Sequence, residues 1–127
     1  MCLENIKGTK ANRRIGYKIF NEDEIGKLYG AYSHQPFEKS TEIWQGALWG
    51  TLKDVKLYSG INSIFIHSDH LKKISVILNK KSAMKCFVSA DHQIWKVKLK
   101  YKKLLVGNWE GDNCALVDQI RLVEKIK

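Results

Sequence analysis

Between Ile94 and Lys103 the chain alternates lysine with apolar residues: Trp95, Val97, Leu99 and Tyr101 take one set of positions, and Lys96, Lys98, Lys100 and Lys102 take the other. Successive side chains of a β-strand point to opposite faces, so an extended segment here has a hydrocarbon face and an ammonium face. Lysines two apart on a strand are separated by about 6.6–6.8 Å, which gathers four positive charges within roughly 20 Å. An anionic chain could lie along such a row. The alternative is that the lysines keep a solvent-facing strand soluble or block edge-to-edge pairing. The formal net charge of +9, from 22 Lys plus Arg against 13 Asp plus Glu, favours an anion-binding face.

Two tryptophans, Trp44 and Trp49, lie in a segment broken by Pro36, Gly46 and Gly50. Their spacing of five suits neither strand alternation nor one helical face. Packing is the first expectation for residues of this size. The functional alternative is a stacking platform for a base. Further lysines, Lys72, Lys73, Lys80, Lys81 and Lys85, surround a helical pattern and are expected to be a solvated face. Lys7, Lys10, Arg13 and Arg14 could form a basic arm.

Other chemistries find weaker footing. His67 and His70, with Cys86 or His92, are residue types that bind zinc, but no Cys-x-x-Cys or His-Glu-x-x-His spacing accompanies them, so no metal is expected. Ser89, Asp91, His92 and Cys86 are near one another in sequence, yet nucleophilic triads are defined by geometry in space; a polar turn between strands accounts for them. The glycines are too scattered for a phosphate loop. No catalytic residue and no cofactor are assigned.

These candidates need a scaffold. At 127 residues and 44% hydrophobic the chain fits one domain, 1–127, with residues 1–13 expected as a flexible basic arm. A β-hairpin is expected over 14–32, from Ile15, Tyr17 and Ile19 through the Asn21 to Glu24 turn to Leu28 and Tyr29. The run from Ile61 to Ile66 suits a buried strand. Ser68 as N-cap, with Leu71, Ile74, Ile77 and Leu78 at three- and four-residue spacing, predicts a helix over about 69–80. Strands are expected at 85–89, 93–101, 103–109 and 114–123, the last after a turn at 110–113. The expected fold is α+β: a single compact domain with a bent, mainly antiparallel sheet packed by one main helix. Cys2, Cys86 and Cys114, an odd number without framework spacing, point to a reducing interior. Neither a signal-peptide pattern nor a spanning run is present, and a cytoplasmic location is expected.

The Met1-Cys2-Leu3 start, Gly16 to Phe20 followed by Gly26 to Tyr29, Gly60-Ile61-Asn62, and Trp95 to Leu99 leading through Val106 and Gly107 to Ile120 to Val123 together resemble a group of small uncharacterised phage and prophage proteins. Where relatives in that group carry histidine, this chain has Asn62. The resemblance implies no established activity and favours an inhibitor or sequestering protein; joined to the basic charge, it gives the leading expectation, a non-enzymatic accessory or anti-defence protein working in the host cytoplasm. It would bind an anionic partner through a basic face: nucleic acid, a nucleotide signal, or a host protein that handles nucleic acid. The order of elements also resembles compact ADP-ribosyltransferase domains, which would imply an NAD-type substrate with Tyr17, Ser63 and Glu110 in the site. A structural assembly protein is the third class. No membrane partner is expected, and the oligomeric state is left open.

Overall fold

A computed structural model describes residues 4–9, 12–31, 35–47, 73–85, 92–109 and 112–127. In chain order the elements are β1 (Glu4–Thr9), β2 (Ile15–Glu22), β3 (Leu28–Gly30), β4 (Pro36–Phe37), β5 (Gln45–Gly46), β6 (Ile74–Ile77), α1 (Lys80–Lys85), β7 (His92–Lys100), β8 (Leu104–Trp109), β9 (Asp112–Val117) and β10 (Gln119–Lys125). The strands form one antiparallel sheet in the order β1-β8-β9-β6-β2-β7-β10-β5, with β3 added to β2 and β4 to β3.

The order and the connections together force the sheet to fold over. Only Asp118 separates β9 from β10, and only residues 101–103 separate β7 from β8. Each pair lies four places apart in the strand order. In a flat sheet that separation is about 19 Å, whereas a single intervening residue spans at most about 7 Å. The half built on β8, β9 and β6 must therefore turn back to face the half built on β2, β7 and β10. Between them lies a core that draws Val76, Leu104, Ala115 and Val117 from one half and Phe20, Val97, Leu99, Ile120 and Leu122 from the other. Among the described residues the halves pair along the sheet at Tyr17↔Ile77. The approach at Gly16 is close: a Cβ there would lie 3.2 Å from both Leu99 Cδ2 and Val76 Cγ2, tighter than ordinary van der Waals contact.

The hairpin expected at 14–32 is present, with Phe20↔Gly30 and Glu22↔Leu28 in register. The Asp23 carboxylate accepts the N–H groups of Ile25 (3.1 Å) and Lys27 (2.8 Å), and Gly26 takes the positive φ of 86° that closes the turn.

The fold class differs from expectation. The protein is mainly β, not an α+β domain packed by a main helix over 69–80. Residues 74–77 of that segment are strand β6, and the helix among the described residues begins where the expected one ends. Ile74, Val76 and Leu78 face the main core while Ile77 faces a second cluster, so a short strand buried on both faces imitates helical spacing. The cap is Asn79, whose side chain accepts the N–H groups of Lys81 (2.8 Å) and Ser82 (3.4 Å). Residues 4–9, expected within a flexible arm, pair with β8. The strand expected over 114–123 is two strands divided at Asp118. Lys85, expected to open a strand, closes α1. The strand expected over 61–66 and the start of the expected helix lie outside the described residues.

Candidate anion-binding site

Residues directly opposite in an antiparallel pair share a face. β7 pairs with β2 on one side and β10 on the other, which defines the outer surface residue by residue. Ile94 lies opposite Ile19, Lys96 opposite Tyr17 and Glu124, Lys98 opposite Ile15 and Arg121, and Lys100 opposite Gln119. A register shift between Leu122 and Glu124 skips Val123 and sets Glu124 opposite Lys96. Beneath this surface Trp95, Val97 and Leu99 are buried. The two-faced segment read from the sequence is thus observed from Trp95 to Lys100.

The outer face divides into two ends. At the Ile94 end it is covered, since Ile94, Ile19 and Ile77 pack in one cluster with Ala83 of α1. At the other end Lys98 and Lys100 are exposed. Lys96, between them, is half-buried and has Glu124 opposite. Lys102 departs from the ladder: β7 stops at Lys100, and Lys102 sits in the bend that follows, its backbone N–H donating to Asp118 Oδ2 at 2.9 Å.

Trp44 joins the open end. It lies immediately before β5, which pairs with the start of β10, and its ring is 5.4 Å from Lys100 Nζ and 5.3 Å from Arg121 Cζ. Each such cation–ring contact at an exposed site contributes roughly 0.5–1 kcal/mol. The side chain is 36% exposed, so neither of the two sequence expectations holds alone: Trp44 is an anchor for two cations and also a surface aromatic. Trp49 lies outside the described residues. Beside Trp44 is an open cleft of about 360 Å³, walled mostly by apolar surface and lined by Arg14, Ile15, Trp44, Lys98, Leu99 and Lys100. Arg14 is held near it by its backbone, whose carbonyl accepts the Leu99 N–H at 2.8 Å, and by its guanidinium, 5.7 Å from the Tyr101 ring. Tyr101 in turn exchanges hydrogen bonds with the Arg13 backbone, accepting from its N–H at 2.9 Å and donating to its carbonyl at 2.8 Å.

Lys98 and Arg121 are like charges directly opposite across a strand pair, an arrangement that costs stability. Among the described residues no ion pair engages Lys98, Lys100 or Arg121; the recorded pairs are Lys27 with Glu38, Lys39 with Glu22 and Lys73 with Asp118.

Arg121 was missed by the sequence reading although the signal was present. It stands between Ile120 and Leu122, both buried, so alternation alone sends it outward. Arg14 was assigned to an arm, whereas it borders the cleft. The burial of a lysine was equally unforeseen. Lys18 of β2 points into the core, with Nζ donating to the Ser75 carbonyl at 2.8 Å and lying 5.8 Å from the Phe37 ring. Burial lowers its pKa to about 8, against a smaller upward influence from Cys114.

Among the described residues no group of three or more His, Cys, Asp or Glu is placed to hold a metal. His67, His70, Cys86 and Ser89 lie outside the described residues, as do Ser63 and Glu110 of the transferase comparison. Tyr17 stands opposite Lys96 on the outer face. No helix of the described residues is long and apolar enough to cross a membrane. No family model, curated protein or solved structure matches the chain.

Proposed function

We propose that this protein is a binding module for a polyanionic partner, engaged at the open end of the outer sheet face by Lys98, Lys100, Arg121 and Arg14. The observation that carries this reading is the cross-strand juxtaposition of Lys98 and Arg121 with no carboxylate paired to either among the described residues. A surface shaped for solubility alone gains by interspersing signs, and β10 does so one step away, where Glu124 stands opposite Lys96. Leaving the repulsion in place at Lys98 lowers stability slightly and provides a site where an incoming anion relieves it. The phage-type accessory role implied by the short motifs would use this same face against a host factor.

The test is binding to inorganic polyphosphate across a salt series. Wild-type affinity should fall steeply with salt, as counterion release requires. The double variant Lys98→Glu/Arg121→Glu should lose at least tenfold in affinity at low salt while keeping its thermal transition. Affinity that ignores both salt and the double variant would refute the reading.

A further inference from the structure

We infer that the partner is single-stranded nucleic acid, with one unstacked base entering the cleft beside Trp44 while its flanking phosphates rest on Lys98, Lys100, Arg121 and Arg14. This rests on the polyanion reading above and adds the element that charge alone leaves unexplained, the apolar wall. A face that met only phosphates or acidic side chains would need cations and nothing more. Here Arg14, Lys98 and Lys100 line a cleft walled mostly by apolar surface, together with Ile15, Leu99 and an indole.

Size and shape narrow the occupant. At about 360 Å³ the cleft is at the small end of ligand pockets, the scale of one planar group with its attached sugar. Bases of a duplex are stacked and paired, and only their edges are offered in the grooves, so a duplex could use the lysines but could not fill the cleft. A single strand can turn a base outward and stack it on an aromatic side chain, while a positively charged groove follows its backbone. Trp44 is exposed enough to receive a base and is already fixed against two cations. Phosphate binding would draw Lys100 and Arg121 away from the indole as the base approaches it, so ligand binding and the environment of Trp44 are coupled. Arg14 and Lys98 flank the same opening, which places charge on both sides of the entering base.

The experiment compares three probes, a fluorescein-labelled thymidine oligonucleotide, the same sequence as a duplex, and inorganic polyphosphate, against wild type, Trp44→Leu and Trp44→Phe. The single strand is expected to bind more tightly than either other probe. Trp44→Leu should weaken the single strand about tenfold, a clearly larger loss than it causes for polyphosphate, whose binding it touches only through the loosened Lys100 and Arg121, and the single-strand loss should be largely rescued by Trp44→Phe, which keeps a ring. Tryptophan fluorescence should change on adding the oligonucleotide to wild type, and most of that change should vanish in Trp44→Phe. If all three probes bind alike and Trp44→Leu alters none of them, base recognition is refuted while polyanion binding stands. If none binds with salt dependence, the polyanion reading itself fails.

Discussion

Lys18 and Lys98 belong to adjacent, paired strands of one sheet, and they live in opposite environments. Lys18 is opposite Trp95 on the inner face; Lys98 is opposite Ile15 on the outer one. Among the described residues the inner amine exchanges water for the Ser75 carbonyl and a position over the Phe37 ring, and its pKa falls to about 8 because burial penalises the charged form. The outer amine keeps its solvent and faces another cation across the strand pair. The lesson is that residue type does not decide the face; the neighbours in register do. A buried lysine with so few partners costs the fold free energy, whereas an exposed one beside a like charge costs much less and is free to meet a ligand.

The sharpest way to break this contrast is to exchange the faces of β7 by one residue. Val97 is fully buried and one position from Lys98. Val97→Asp puts a carboxylate into the core and should cost about 4 kcal/mol or more, enough to abolish the cooperative transition in urea. Lys98→Asp, the same carboxylate placed one residue later, should raise stability by a few tenths of a kcal/mol by replacing the repulsion with Arg121 by attraction. Comparable losses in both variants would mean that the alternation does not hold.

A second test addresses Lys18 directly. Its folded pKa, about 8, is below the ordinary 10.5, so between those values the unfolded chain holds the proton that the folded chain has released. The unfolding free energy therefore rises with pH across this window, and the cost of the buried charge is fully present below about pH 8. The shift corresponds to about 3 kcal/mol. In the difference between wild type and Lys18→Met, followed by urea denaturation from pH 7 to 10.5, wild type should gain on the variant by roughly that amount. A difference that stays flat with pH would show that the amine reaches solvent in the folded protein.

How legible all this was in the sequence depends on how local the cause is. The alternation from Trp95 to Lys100 was readable because one face is uniformly apolar and the other uniformly charged. Alternation in β2 was readable too, but not its sense. Ile15, Tyr17 and Ile19 look like the main-core face, yet they lie on the outer face, where Ile19 is buried in the second cluster, and Gly16, Lys18 and Phe20 turn towards the main core. That choice follows from the close approach of the two halves at Gly16, a contact between distant segments. The segment around Ile74 was misread because burial on two faces erases period-two patterning. At Asp118 neither glycine nor proline marks the break, and its cause is tertiary: the carboxylate accepts from Lys73 Nζ and from the Lys102 backbone. As for the site, the lysines were visible one strand at a time, while the pairing that sets Arg121 against Lys98 and Trp44 against both Lys100 and Arg121 was not.

Asp118 also supplies a case between the two lysines, a charge neither fully buried nor fully exposed. Partial burial raises its pKa, but the hydrogen bonds from Lys73 and from the Lys102 backbone, together with the charges of both lysines, outweigh burial and hold the carboxyl below its ordinary value. A group held in this way contributes stability above the ordinary carboxylate range and loses it as pH falls through its own lowered pKa. Its side chain is still 32% exposed, so solvent screens much of the attraction. Asp118→Asn should therefore cost only about 1 kcal/mol at pH 7, well below the effect of inverting β7. The gap between wild type and variant should close as pH falls below about 4, and it should shrink in high salt at neutral pH. A gap that persists unchanged in acid would mean that Asp118 holds the β9–β10 corner by its neutral hydrogen bonds. The electrostatic gradient from Lys18 through Asp118 to Lys98 would then lose its middle point.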